Sequence, residues 1–295
     1  MKFYDLNKKA WQWITLLFLA LIWGSSFILM KKGLVVYSHN IVAALRISLA
    51  AIVLIPFAIK AFSKIKLRDW KHLFFVGAIG NGIPAFLFTY AQTEVSSSLT
   101  GMLNALVPIF SLIIGVVMFK FKPIKNQIIG ILIGLTGASG LILSNGLPTE
   151  NQNFFFILLI VIATICYGLS VNVIKSYLKE IKAIHITAIS FISLAPFTTA
   201  YLFSTNFIEV TVNNPDSFSA LIYIGILAII GTSLAIILFN LLIKSTSTVF
   251  ATSVTYLIPI VAIFWGLFDG ETINFYQIIS AAIILLGIQF TNKNS

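Results

Sequence analysis

The chain has 295 residues, 59% of them hydrophobic and 9% charged, and its mean hydropathy is +1.01. That balance lies outside the range of soluble domains and places the chain in lipid. A net charge of +10 would point to nucleic acid in a soluble protein, but here the basic residues gather in alternate loops between apolar runs, so the charge reports orientation and no nucleic-acid partner is expected.

Apolar runs of about 20 residues, the length a helix needs to cross roughly 30 Å of hydrocarbon, follow one another along the chain. In order they are Trp11–Met30, Ile41–Ile59, Leu73–Ala91, Leu99–Phe119 and Gln127–Ser144, then Phe154–Ile174, Ile186–Ser204, Phe218–Ile243, Val249–Phe268 and Phe275–Phe290. The first follows Lys2, Lys8 and Lys9 as a signal peptide's apolar core would. It exceeds the usual core of about 7–15 residues and lacks a small-x-small cleavage pattern, so it reads as a retained span. The runs are continuously apolar without alternation, which selects helices over barrel strands. Cys166, the single cysteine, lies inside a span and excludes an internal disulfide.

With the N-terminus in the cytoplasm, sixteen of the 19 basic residues fall on the cytoplasmic side, Lys31 and Lys32 fall outside, and Arg46 falls within a span. The positive-inside rule therefore puts both termini in the cytoplasm. The two sets of five runs also match in sequence. Gly24, Ser26 and Lys31 recur 144 positions later as Gly168, Ser170 and Lys175, and Ile47-Ser48-Leu49-Ala50 returns as Ile192-Ser193-Leu194-Ala195. After a longer polar loop, Thr205 to Ser217, Phe88, Leu106, Pro108 and Ile109 pair with Phe239, Leu257, Pro259 and Ile260 at an offset of 151. Five spans per repeat is an odd number, so the second repeat enters the membrane from the opposite side. The expected fold is an all-α integral membrane protein of ten transmembrane helices in two inverted-topology repeats, residues 1–146 and 147–295, an arrangement typical of alternating-access carriers with midplane sites.

Pro108 and Pro259 are expected to act as hinges by kinking spans four and nine, freeing the carbonyls of Asn104 and Thr255 at matching depths. Those groups either meet neighbouring helices or line a central polar site. Arg46 either snorkels, forms a structural pair or contacts substrate, and as a substrate residue it would hold an anionic group such as a carboxylate. Asn81, Asn172 and Asn240 are candidates for a cavity or for helix-to-helix hydrogen bonds. Tyr90, Tyr167, Tyr256, Trp23 and Trp265 are candidates for stacking on substrate or for the membrane interface. Trp23 and Ser25 lack counterparts in the second repeat, which marks them as substrate-facing in one half only. Lys31 and Lys175 read as headgroup anchors, Glu94 as a solvated turn or a gate, and Asp269 and Glu271 as exposed loop acids. Gly130, Gly134 and Gly137 with Gly287 mark spans five and ten as close-packing helices, against each other or another subunit. The sequence has neither a phosphate-binding glycine loop nor a zinc-binding H-E-x-x-H pair, and His39, His72 and His185 are dispersed. No cofactor, metal site or enzymatic activity is expected.

The chain resembles the EamA-type carriers of the drug/metabolite transporter superfamily. The resemblance rests on Trp23-Gly24-Ser25-Ser26-Phe27 with Lys31, on Arg46, on Pro108 and Pro259, on the Gly270-Glu271 pair, and on the glycine-bearing spans five and ten. Tyr167 and Leu169 depart from the motif in the second repeat. The resemblance implies an inner-membrane carrier of small metabolites, often an amino-acid exporter, with its cavity formed chiefly by spans one, three, four, six, eight and nine and with spans five and ten as scaffold. A coupling proton or ion is a candidate partner besides substrate and lipid. An intramembrane enzyme lacks a catalytic constellation here, and a passive channel is the remaining alternative.

Overall fold

The computed structural model describes residues 6, 8–143, 151–246 and 248–292; Lys2, Ser144, Lys293 and the expected junction at 146/147 lie outside these. The described residues form helices and no strands: α1 (Lys9–Leu34), α2 (His39–Phe62), α3 (Leu67–Gly77), α4 (Ile83–Ala91), α5 (Ser97–Asn104), α6 (Val107–Phe119), α7 (Lys125–Leu143) and α8 (Asn151–Tyr177). They continue as α9 (Ala183–Ser204), α10 (Phe207–Asn213), α11 (Ser217–Ala228), α12 (Ala235–Ser245), α13 (Thr248–Thr252), α14 (Ile258–Phe268) and α15 (Phe275–Asn292). Among the described residues, seven continuous stretches are long and apolar enough to cross a membrane: Lys9–Leu34, His39–Phe62, Leu67–Ala91, Ser97–Phe119, Phe154–Tyr177, Ala183–Ser204 and Ser217–Ser245. Ile258–Phe268 and Phe275–Gly287 are shorter apolar helices. The polar loop expected at Thr205 to Ser217 instead contains α10, tied to the connection between α1 and α2 where Tyr37 Oη and Thr211 Oγ1 lie 3.0 Å apart.

Several of these helices are interrupted, and the interruptions recur 151 positions apart. A π-helical turn, Ala78–Gly82, joins α3 to α4, and another, Ile229–Leu234, joins α11 to α12. Likewise, α6 begins at Val107 after a break, and α14 begins at Ile258 after the tight turn Ser253–Tyr256. Pro108 and Pro259 therefore do not kink continuous helices as the sequence suggested. Each is the second residue of a new helix, where the missing N–H has no intrahelical partner to lose.

Close packing follows the same spacing. Gly24 in α1 abuts Val261 and Ile258 of α14, and Gly168 in α8 abuts Phe110 and Ser111 of α6. Two residues on, Ser26 sits against Gly231 in one π turn, and Ser170 sits against Gly80 in the other. A small residue on one side lets a hydroxyl-bearing residue approach the backbone of the widened turn, which aligns α1 with α11–α12 and α8 with α3–α4. Gly137 of α7 meets Ile284 and Ser280 of α15, and Gly287 meets Gly130 and Gly134, so these two helices pack on each other.

Buried apolar residues form two clusters, one including Tyr37, Leu103 and Ile224, the other Leu54, Leu73 and Phe191. Trp23, Leu49 and Phe86 pack against both, which places them where the clusters meet. Large side chains such as Ile52, Phe197 and Phe264 point outward, as a lipid-facing surface requires.

Candidate functional site

A cavity of about 110 Å³ opens between the two clusters. Two aromatic brackets hold its walls: Trp23 meets Phe239 edge-on at 4.9 Å between centroids, and Tyr167 stacks with Phe88 at 5.8 Å. These pairs are repeat counterparts, at offsets of 144 and 151. Tyr167 thus occupies in α8 the place of Trp23 in α1, which corrects the expectation that Trp23 has no equivalent. Letter matching missed it because the shared property is an aromatic face rather than an identical residue. The indole N–H of Trp23 donates to Gly231 O in the π turn at 3.1 Å.

Among the described residues Arg46 is the charged one that lines this cavity. It is 9% exposed, and its Nε donates to Thr232 Oγ1 at 2.7 Å. Thr232 passes its own proton to Leu227 O, five residues earlier and within the widened turn, at 2.9 Å. Its oxygen is therefore free to accept from the guanidinium. Among the described residues Arg46 has no carboxylate in ion-pair range. Asn81, Asn104, Asn240 and Thr255 also line the cavity. Asn81 Nδ2 reaches Val76 O, Asn240 Nδ2 donates to Thr187 Oγ1 at 2.9 Å, and Thr255 donates to Thr252 O.

Other residues singled out by sequence lie elsewhere. Ser25 faces α14, accepting from the Trp265 indole N–H at 2.8 Å. Tyr90 stacks on His39 at 4.3 Å and packs edge-on against Phe156. Asn172 is fully buried and bridges helices, donating to Ser111 O and Gly168 O at 2.8 Å each. The side chain of Tyr256 lies outside what the structure describes. Glu94 is exposed. Among the described residues, no group of three or more His, Cys, Asp and Glu is placed to hold a metal ion.

One polar cluster was misread from sequence. Glu271, expected to be exposed, has a side chain only 7% exposed. Its Oε1 accepts from the Ser97 backbone N–H at 3.1 Å and hydroxyl at 2.7 Å, and its Oε2 accepts from the Ser98 N–H at 3.0 Å and the Ser98 hydroxyl. The carboxylate therefore sits on the N-terminus of α5, where unpaired N–H groups and the helix dipole favour an anion. Gly270, with φ of +78°, turns the chain so that Glu271 points back. Lys31 closes the cluster at 2.8 Å from Glu271 and 2.7 Å from Asp269, and Lys32 lies 2.5 Å from Asp269. Burial alone would raise the Glu271 carboxyl, but the bonds from Lys31, Ser98 and Ser97 outweigh it and hold it at about 2. Lys31 is thus an ion-pair partner rather than a headgroup anchor. Its counterpart Lys175 is likewise engaged, donating to Ile243 O at 2.8 Å and Thr246 O at 2.5 Å at the end of α12, while Lys244 donates to Ile181 O.

Membrane-length helices around a mixed aromatic and polar cavity are the build of a membrane transporter. The chain belongs to the EamA-like transporter family, whose model matches residues 11–143 and 154–293. It is 26% identical over 277 residues to the uncharacterized inner membrane transporter YedA of Escherichia coli K12, covering 92% of this chain and 87% of that protein. An uncharacterized transporter of Acidianus ambivalens is 21% identical over 255 residues, covering 83% of this chain and 90% of its own length. A solved crystal structure superposes with a TM-score of 0.67 over 97% of this chain and 98% of its own, at 13% identity, and shares the fold.

Proposed function

We propose that the chain is a secondary transporter that moves small metabolites, amino acids or related compounds, out of the cell by alternating access. The observation that carries this reading is the cavity whose walls come in repeat-related pairs, Trp23–Phe239 and Tyr167–Phe88, and whose neighbouring helices are interrupted at equivalent positions. Interrupted helices beside a cavity supply the backbone freedom that rocking requires, with Pro108 and Pro259 as its hinges. In this reading α7, α13 with α14, and α15 join the seven longer stretches to give ten spans in two inverted repeats, 1–146 and 147–295, with both termini cytoplasmic. The Lys31–Asp269–Glu271 cluster then closes the outer end of the cavity. Trp23, Arg46, Asn81, Asn104, Tyr167, Asn240 and Thr255 contact substrate.

The reading is tested by cysteine accessibility in a Cys166→Ala background. In Asn104→Cys, a membrane-impermeant maleimide should label the cavity from the cytoplasmic face in inside-out vesicles and not in right-side-out vesicles. Adding Asp269→Ala and Glu271→Ala should shift labelling toward the outer face. Labelling from both faces at rates that neither the double substitution nor added substrate shifts would indicate a channel and end this proposal.

A further inference from the structure

We infer that the cavity selects organic monoanions, and that the membrane potential alone drives their exit without a coupling ion. The inference rests on the carrier reading above and names its substrate class and energy source. Its first support is the state of Arg46. A guanidinium stays protonated at any physiological pH, and this one is nine-tenths buried. Arg46 lines the cavity, its Nε is held by a neutral hydroxyl, and it has no carboxylate in ion-pair range among the described residues. An unpaired buried cation is costly until an anion reaches it. A carboxylate satisfies its planar fork in two parallel bonds.

The second support is where the acids are. The sequence has nine Asp and Glu in total. Of the described ones, Asp69 is in the first turn of α3, Glu209 is in α10, and Glu94, Glu180, Asp216, Asp269 and Glu271 precede or follow helices. Asp5 and Glu150 fall outside the ten apolar runs. None of the described ones lines the cavity. A substrate ammonium would find hydroxyl and amide oxygens there and no opposing charge. For one carbon skeleton, then, the anion is favoured over the zwitterion and the zwitterion over the cation. Among the described residues, then, no carboxylate in the cavity is placed to carry a proton or sodium ion through the cycle.

The third support is asymmetry. Arg46's repeat counterpart is Phe191, fully buried and apolar, so the cavity offers one cationic end. The two aromatic brackets wall another part of it, and they suit a compact apolar or aromatic body on the same molecule. Arg46 remains with the protein as the halves rock, so each cycle moves the substrate's single negative charge. A cytoplasm held negative therefore pushes that charge outward.

The test uses proteoliposomes and three probes of one skeleton: 4-methyl-2-oxopentanoate with charge −1, leucine with 0 and leucinamide with +1. Internal 2-oxo acid should accelerate its own uptake by counterflow at least tenfold more than the amide does. With 100 mV, inside positive, set by potassium and valinomycin, it should accumulate toward about 50-fold, the ratio equivalent to one charge across that potential. Arg46→Gln should abolish the accumulation, while Arg46→Lys should keep potential dependence at reduced affinity, with folding of each checked by gel filtration and melting temperature. Leucine counterflow that ignores potential, with none for the 2-oxo acid, overturns the inference and leaves the carrier standing. Accumulation that follows a pH gradient instead of potential also overturns it. Counterflow by none of the three, from folded wild-type protein, overturns both.

Discussion

Asn172 and Arg46 are both buried polar residues within helices, and their surroundings assign them opposite work. The Asn172 amide nitrogen is spent on two backbone carbonyls of α6 and α8, beside Gly168 where the helices nearly touch. Arg46 gives its Nε–H to Thr232 and lines the cavity, with no carboxylate in ion-pair range among the described residues. Asn172→Ala should therefore lower stability by about 1 kcal/mol, the scale of hydrogen bonds between membrane helices, as a fall in melting temperature in detergent. Ligand-induced shifts of that temperature should be unchanged. A residue type alone did not separate these roles, because what decides them is the partner on the facing helix, and that is a property of the packing. Arg46 was legible as costly in a span, but the absence of its countercharge required the fold.

At the scale of elements, the glycines rank themselves by what a methyl group would strike. A Cβ on Gly168 would lie 2.8 Å from Ser111 N and 3.0 Å from Phe110 C, backbone atoms that cannot rotate away. On Gly231 the obstacle is Ser26 Oγ at 2.8 Å, a side-chain atom with other rotamers, and on Gly225 nothing lies within 4 Å. Gly168→Ala should cost about 1–3 kcal/mol by overpacking, Gly231→Ala clearly less, and Gly225→Ala should be neutral or stabilising by up to about 1 kcal/mol through helix propensity. Melting temperatures of the three variants check that order. The Glu271 cap on α5 makes a second prediction, in pH. Its folded carboxyl is held at about 2, below the usual 4.5, so its stabilisation is complete above about 4.5 and is lost as pH falls toward 2. Wild-type melting temperature should hold from pH 7 to 5 and then decline, while Glu271→Gln should start lower and lack that component of the decline. A parallel loss in both proteins would show that other groups govern it. Sequence gave no hint of this cap: Lys31 and Glu271 are 240 positions apart. A loop carboxylate reads as solvated until Gly270 turns it onto a helix end.

Over the whole molecule, the apolar runs and the repeat spacing were legible because membrane helices announce themselves by length and because duplicated positions keep their register. The irregular turns were not, since a π turn leaves no composition signal beyond its glycine, and the prolines alone suggested a bend where the structure has a restart. What the spacing does reveal once the packing is known is that the repeats do not stand side by side as separate bundles. Gly24 and Ser26 of the first stretch pack on α14 and on the turn before α12, and Gly168 and Ser170 of the second pack on α6 and on the turn before α4. The α7–α15 pair is built from reciprocal glycine contacts, again one helix from each stretch. Each half therefore presents to its partner the surfaces that would otherwise face lipid with small residues and exposed backbone, which hydrocarbon cannot satisfy. Separating the chain at 146/147 into two polypeptides should give halves that are degraded or aggregate when expressed singly. Coexpressed, they should copurify through a tag on one of them, with a melting temperature below that of the intact chain because the connection no longer limits the unfolded state. Stable, monodisperse halves on their own would show instead that each is an independent bundle, and the cross-packing of Gly24 and Gly168 would then be incidental to folding.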